Sequence, residues 1–208
     1  MKLARTPSSA FTLIELLIVI SIIAILASLA IPAAQSVLVR GQLTGTLSNA
    51  RQLHMVTQTM SLDTFNAGGE GLEWTMSNNG TTTTPVSLST YFSALTNNNY
   101  LTDPELRKLL SAPGKQPTTG ALGANNIAFK IFAVSEESSS DQPFVVTANW
   151  GGVGTGMTTA APYGKKGFVV FNKGGGGNMY TRQQDSTSTN IFNAGSGEQT
   201  NNLSQFLQ

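Results

Sequence analysis

Few side chains in this 208-residue chain are equipped for chemistry, and their spacing restricts what they can do. The single histidine, His54, stands between Leu53 and Met55 with no His-Glu-x-x-His partner. A two-histidine zinc helix is therefore excluded, and a histidine-based triad would have to rest on this one ring. A lone histidine in an apolar helical pattern is expected to be a packing or surface residue. With no cysteine, the chain has no disulfide framework, no thiolate zinc site and no cysteine nucleophile. "GGVGTG" (Gly151 to Gly156) lacks the G-x-G-x-x-G spacing, and "YGKKG" has Thr159 where a phosphate-binding loop needs its first glycine, so both read as turns. "SEESSSDQP" gathers Glu136, Glu137 and Asp141 among serine hydroxyls. Hard oxygen donors in a loop suit calcium, but a solvated hairpin loop is the favoured expectation, so no cofactor is expected and calcium is the only metal candidate. Lys108, Lys165 and Lys166 with Tyr163 and Tyr180 could touch DNA, but 12 basic against 11 acidic residues give a net charge of +1, and no nucleic-acid partner is expected.

The remaining chemistry-bearing residue is Glu15, an acid inside an apolar run. From Phe11 to Ile31 only Thr12, Glu15, Ser21 and Ser28 interrupt the apolar sequence, and as a helix this stretch would span ~30 Å, one bilayer crossing. Lys2 and Arg5 precede it with no acid, so the positive-inside rule keeps the N-terminus cytoplasmic and sends the rest of the chain across. Three readings are open: a plain anchor, a cleaved secretory signal, and a signal that remains in the mature protein. "SLA" (Ser28 to Ala30) offers a signal peptidase small residues, but the apolar run exceeds the usual 7–15-residue signal core and a disposable signal has no use for an acid. A plain anchor accommodates Glu15 as a side chain snorkelling to the interface.

"AFTLIELLIVISIIAILASLAIP" resembles the class III prepilin signal of type IV pilins and of the pseudopilins of type II secretion systems. The resemblance implies that a basic leader, residues 1–10, is removed by a prepilin peptidase between Ala10 and Phe11. Phe11 then becomes the N-methylated first residue, Glu15 the fifth, and Pro32 falls where such proteins often carry proline. The family normally has glycine before the cut. Ala10 departs from that, which bears on the rate of processing more than on its place. The resemblance also implies that Glu15 guides subunit docking by pairing with an N-terminal amine, because a buried carboxylate needs a cation. Methylation leaves that amine charged.

After the apolar run, Val39, Leu43, Leu47, Ala50, Leu53, Val56 and Met60 recur at steps of three or four, which predicts an amphipathic extension of the helix over residues 32–65. Pro32 removes a backbone donor and is expected to kink the helix at the membrane boundary. Gly41 and Gly45 weaken it again, by about 1 kcal/mol each relative to Ala. They serve either close packing on the sheet or a flexible joint.

Residues 66–184 read as an outer globular domain. "AGGEG" and "SNNGTTTTP" are expected loops, "LSTYFSAL" a short helix, and "TDPELRKLL" a second helix capped by Asp103 with Pro104 in its first turn and Pro113-Gly114 after its end. Strands are expected over Ile127–Val134, from Phe144 and from Gly167, with Gly174 to Gly177 turning the last into a hairpin. Residues 185–208 form a polar tail whose Leu203, Phe206 and Leu207 could dock its end. The expected fold is α+β, a long transmembrane and amphipathic helix packed on a small antiparallel sheet, as the pilin resemblance also implies.

The charged content of 11% suits an exposed, loop-rich surface better than a cytosolic enzyme. The expected function is a structural, non-catalytic subunit of a pilus-like filament, a type II secretion pseudopilus or a type IV pilus. Its partners would be identical or related subunits, the prepilin peptidase, an inner-membrane assembly platform and the membrane itself. The expected location is the bacterial inner membrane, crossed once, with the outer domain in the periplasm or an extracellular filament. The rival is a secreted or anchored binding protein with a simple signal, whose mature chain would begin near Ile31.

Overall fold

The computed structural model describes residues 12–69, 71–152 and 154–181. Two compact units divide between Leu38 and Val39. One helix, α1 (Leu13–Asn66), supplies the described part of the first unit and the first element of the second, and it runs helical through position 32.

In the first unit the apolar side chains from Leu13 to Ile31 are exposed all round, and α1 is long and apolar enough there to cross a membrane. A helix with no polar face in this stretch has no water-facing side to offer, so lipid or protein must cover it.

In the second unit the expected stripe is present. Leu43, Ala50, Leu53 and Met60 are buried, with Val39, Leu47 and Val56 packed beside them. The same face also buries Thr46, His54, Thr57 and Ser61. Thr57 donates to the Leu53 carbonyl at 2.8 Å and shares a hydrogen bond with the buried Tyr91 hydroxyl, while Thr46 meets the hydroxyl of Tyr163.

The stretch expected to be loop after α1 is a three-stranded antiparallel sheet of β1 (Gly71–Glu73), β2 (Met76–Asn78) and β3 (Thr83–Pro85). Its strands are only three residues each, too short to show alternation, and its turn is closed by the Asn79 side chain accepting from the N–H groups of Thr81 and Thr82. The Gly and Asn content signalled the turns and concealed the ladder between them.

Helix α2 (Leu88–Asn97) starts at Ser87, whose hydroxyl accepts from Thr90 N–H, and buries Leu88, Tyr91, Phe92 and Leu95. Helix α3 (Asp103–Leu109) is capped by Thr102, not by Asp103. Thr102 N–H and hydroxyl both donate to the Glu105 carboxylate, a capping-box arrangement. Asp103 instead pairs with Arg107 at 2.6 Å, one turn on.

The larger sheet is antiparallel with order β4 (Phe129–Ile131), β5 (Pro143–Thr147), β6 (Phe168–Asn172) and β7 (Gly177–Tyr180). The β6–β7 hairpin turns through the expected glycines, with Gly175 at φ 86° and Phe171 opposite Gly177. Period-two alternation divides β6 between two cores. Val169 and Phe171 join the cluster that includes Leu43, Leu53 and Phe144, whereas Phe168 and Val170 join Phe132, Val146, Trp150 and Met157. Both faces are therefore covered, which explains why β5 is buried along its whole length. The strand expected over Ile127–Val134 is ladder only at Phe129–Ile131, because Val134 leaves β5 and bonds Thr75 instead. That bond ties the larger sheet to the segment linking β1 and β2.

Candidate functional site

At the start of α1, Thr12 and Glu15 form a capping box. The Glu15 carboxylate accepts the Thr12 backbone N–H at 2.9 Å and the Thr12 hydroxyl at 2.8 Å, and the Glu15 N–H faces the Thr12 hydroxyl at 3.3 Å. The Thr-x-x-Glu spacing is itself the sequence signature of this arrangement. The carboxylate is thus held at the first turn of α1, bonded to Thr12, by donors that leave it further lone pairs. Ala10 and Phe11 lie outside the described residues, as does the tail over 185–208.

In the outer domain His54 is a packing residue at the centre of an aromatic group, with Phe171, Trp74 and Phe144 at ring-centroid distances of 5.1, 5.2 and 5.8 Å. Its Nε2–H donates to the Lys173 carbonyl at 2.5 Å. Burial pushes the imidazole below its ordinary value, partly offset by that carbonyl. Lys173 in turn lays its ammonium 5.6 Å from the Trp74 ring centre and donates to the carbonyls of Glu136 and Ser138. The same turn is fixed from its acidic side, where Glu136 accepts the Trp74 indole N–H at 2.7 Å and Glu73 accepts the Glu136 N–H. Trp74 holds this position with a left-handed backbone, φ 56°.

The acids singled out for calcium are therefore only partly gathered. Glu136 is engaged by Trp74, Glu137 is exposed beside it, and the Asp141 N–H turns to Ser139. Among the described residues no group of three or more His, Cys, Asp or Glu is placed to hold a metal ion. Glu136 and Glu137 instead border a cavity of about 470 Å³ walled by Leu62 and Phe65. Leu62 and Phe65 lie on the side of α1 away from its apolar stripe, where the periodicity gave no sign of a site. The cationic candidates are dispersed: the main chain of Lys108 is beside Asn49, whereas Lys165 and Lys166 project from the turn Gly164–Lys166. Tyr163 and Tyr180 are not stacking platforms, since Tyr163 is buried against Thr46 and Tyr180 stacks on Phe168 at 5.0 Å.

An apolar helix exposed from its first turn, its acid held at the tip, and an α+β domain that begins with the same helix make a pilin-like architecture. The prokaryotic N-terminal methylation motif matches residues 5–31. Two curated proteins, each a type IV major fimbrial protein FimA of Dichelobacter nodosus, are 44% and 43% identical to the chain over 68 residues. The aligned part is 33% of this chain and 44% and 42% of those proteins, so the chain spans less than half the length of the curated relatives it matches. No solved structure matches. The N-terminal segment of the chain is thus similar to that of type IV major fimbrial proteins and carries the prokaryotic N-terminal methylation motif.

Proposed function

We propose that this chain is a structural subunit of a pilus-like filament, either a type IV pilus or a type II secretion pseudopilus, polymerising through its N-terminal helix and performing no catalysis. The methylation motif matched at residues 5–31, together with the exposed apolar side chains of α1 from Leu13 to Ile31, carries the reading. A prepilin peptidase cuts between Ala10 and Phe11, Phe11 is N-methylated, and the helix stays in the inner membrane with its N-terminus cytoplasmic until an assembly platform draws it into the filament. Packing helix on helix then covers the apolar side chains from Leu13 to Ile31.

Glu15 gives that step its direction. A carboxylate at the edge of the bilayer, next to a cationic amine at Phe11, is best satisfied when the amine of an incoming or preceding subunit completes its coordination. Pro32 loosens the helix at the membrane boundary, since the Ser28 carbonyl has no N–H four residues on to receive.

The N-terminal residue of the protein from its native membrane, read by mass spectrometry of the terminal peptide, tests the reading. Methylated Phe11 supports a filament subunit. A chain beginning near Ile31 would return the apolar stretch to the role of a secretory signal and the outer domain to that of a secreted binding protein.

A further inference from the structure

Along α1, the outer domain carries unlike charges at its two ends. Tyr163 bonds the Gln42 carbonyl at 3.0 Å and the Thr46 hydroxyl, which seats the turn Gly164–Lys166 beside the start of the domain's helix. Asn149, buried, donates to the carbonyls of Gly164 and Gly167 at 2.7 and 2.8 Å, so Lys165 and Lys166 project from a turn clamped at both ends. Arg40 is exposed on the same stretch of helix. About 30 Å further along α1, Thr64 holds β1 through the Leu72 carbonyl at 2.9 Å. There the 470 Å³ cavity opens between Leu62 and Phe65, which are 53% and 74% exposed, and the carboxylates of Glu73, Glu136 and Glu137.

An apolar wall with carboxylates at its rim suits a side chain that is apolar along its stem and cationic at its tip, which is a lysine. We propose that this cavity receives the Lys165–Lys166 turn of a second copy of the chain, a head-to-tail contact between outer domains. Acidic cavity and basic turn are different surfaces about 30 Å apart on one molecule. The contact is therefore heterologous, and a heterologous contact that does not close builds an open filament. The proposal rests on the filament reading and adds to it the outer-domain surfaces that set how one subunit seats on the next. The bonds from Trp74 and the Glu136 N–H hold the rim in place before docking and leave the exposed Glu137 carboxylate for the incoming ammonium.

Because the chain has no cysteine, paired substitutions report the contact directly. Full-length L62C and K165C chains, differently tagged, are expressed together in cells that assemble the protein, and the membrane and filament fractions are oxidised. The expected result is a disulfide joining the two tags. In parallel, E137K and K165E/K166E are each expected to lower filament yield several-fold, and the chain carrying all three changes to recover most of it. E137K leaves the Trp74–Glu136–Glu73 bonds in place, and the disulfide does not depend on any charge variant folding. Filaments formed by the L62C and K165C chains at wild-type yield, yet without the mixed disulfide, overturn the proposal and leave the filament reading standing. Absence of any assembly, with Phe11 unmethylated, overturns both. If K165E/K166E assembles normally but is lost from phosphatidylglycerol vesicles that retain the wild type, the basic turn is a lipid contact and the proposal is overturned.

Discussion

His54 and Lys173, far apart in sequence, are joined by a hydrogen bond of 2.5 Å from the imidazole Nε2–H to the backbone carbonyl. The bond fastens the β6–β7 turn to the C-terminal third of α1, and it requires a proton on Nε2 but tolerates no charge well, since the ring is buried among Trp74, Phe144 and Phe171. Burial lowers the folded-state value below the ordinary 6.5. The unfolded chain therefore binds the proton more readily. Stability from this group is fully present above pH ~6.5 and is lost as pH falls through that value toward the folded one. Urea unfolding of the detergent-solubilised chain between pH 7.5 and 5 should show a falling midpoint, and H54Q should flatten that part of the profile. An equal slope in H54Q would assign the dependence to other groups.

The Thr57–Tyr91 pair predicts an order of effects. Thr57 keeps the Leu53 carbonyl when Tyr91 becomes Phe, so Y91F should cost only about 0.5–1.5 kcal/mol. T57V leaves the fully buried Tyr91 hydroxyl without its partner, and should cost more, about 1–3 kcal/mol. Denaturation midpoints of the two variants measure the order, and the reverse order would show that the hydroxyl finds another acceptor.

At the β6–β7 hairpin, a Cβ on Gly177 would lie 2.5 Å from the Phe171 ring and 2.6 Å from Leu47, whereas one on Gly176 meets nothing within 4 Å. G177A should therefore destabilise by about 1–3 kcal/mol through overpacking, with G176A close to neutral. Thermal melts of the two proteins compare them directly, and similar melting temperatures would mean that α1 yields at Leu47.

Gly41 and Gly45 have open space where a side chain would stand, so close packing on the sheet is not what requires glycine there. G41A and G45A should each strengthen the helix, by up to about 1 kcal/mol. Should assembly depend on local melting at this joint, the double variant will be more resistant to heat yet slower to form filaments, which time-resolved shearing assays can read.

A single substitution separates the helix-capping bonds of Glu15 from its proposed docking role. As a capping residue bonded to Thr12 it needs an acceptor oxygen, which Gln supplies; as the partner of a methylated amine it needs charge. E15Q is expected to insert into the membrane and to retain helix content by circular dichroism, yet to fail in filament assembly. Normal assembly of E15Q would reduce Glu15 to a helix cap.

The sequence by itself determined the parts whose information is local or periodic. The apolar run of Phe11 to Ile31, the stripe from Val39 to Met60 and the glycine turn before β7 each follow from residue type and short spacing, and the structure keeps the described portions of all three. The Thr12–Glu15 and Thr102–Glu105 capping boxes are local as well, each a Thr-x-x-Glu spacing, although the sequence alone points to docking for Glu15 and to Asp103 as the cap of α3. Only tertiary structure decided that three-residue strands around Trp74 would pair, because their ladders are too short to leave a pattern and depend on Thr75 being held by Phe132 and Val134. It also decided that His54 is enclosed, that Glu136 serves Trp74 before any cation, and that Leu62 and Phe65 stand beside those acids. Each of these joins residues separated by tens of positions, and such contacts are set by how α1 packs on two sheets at once.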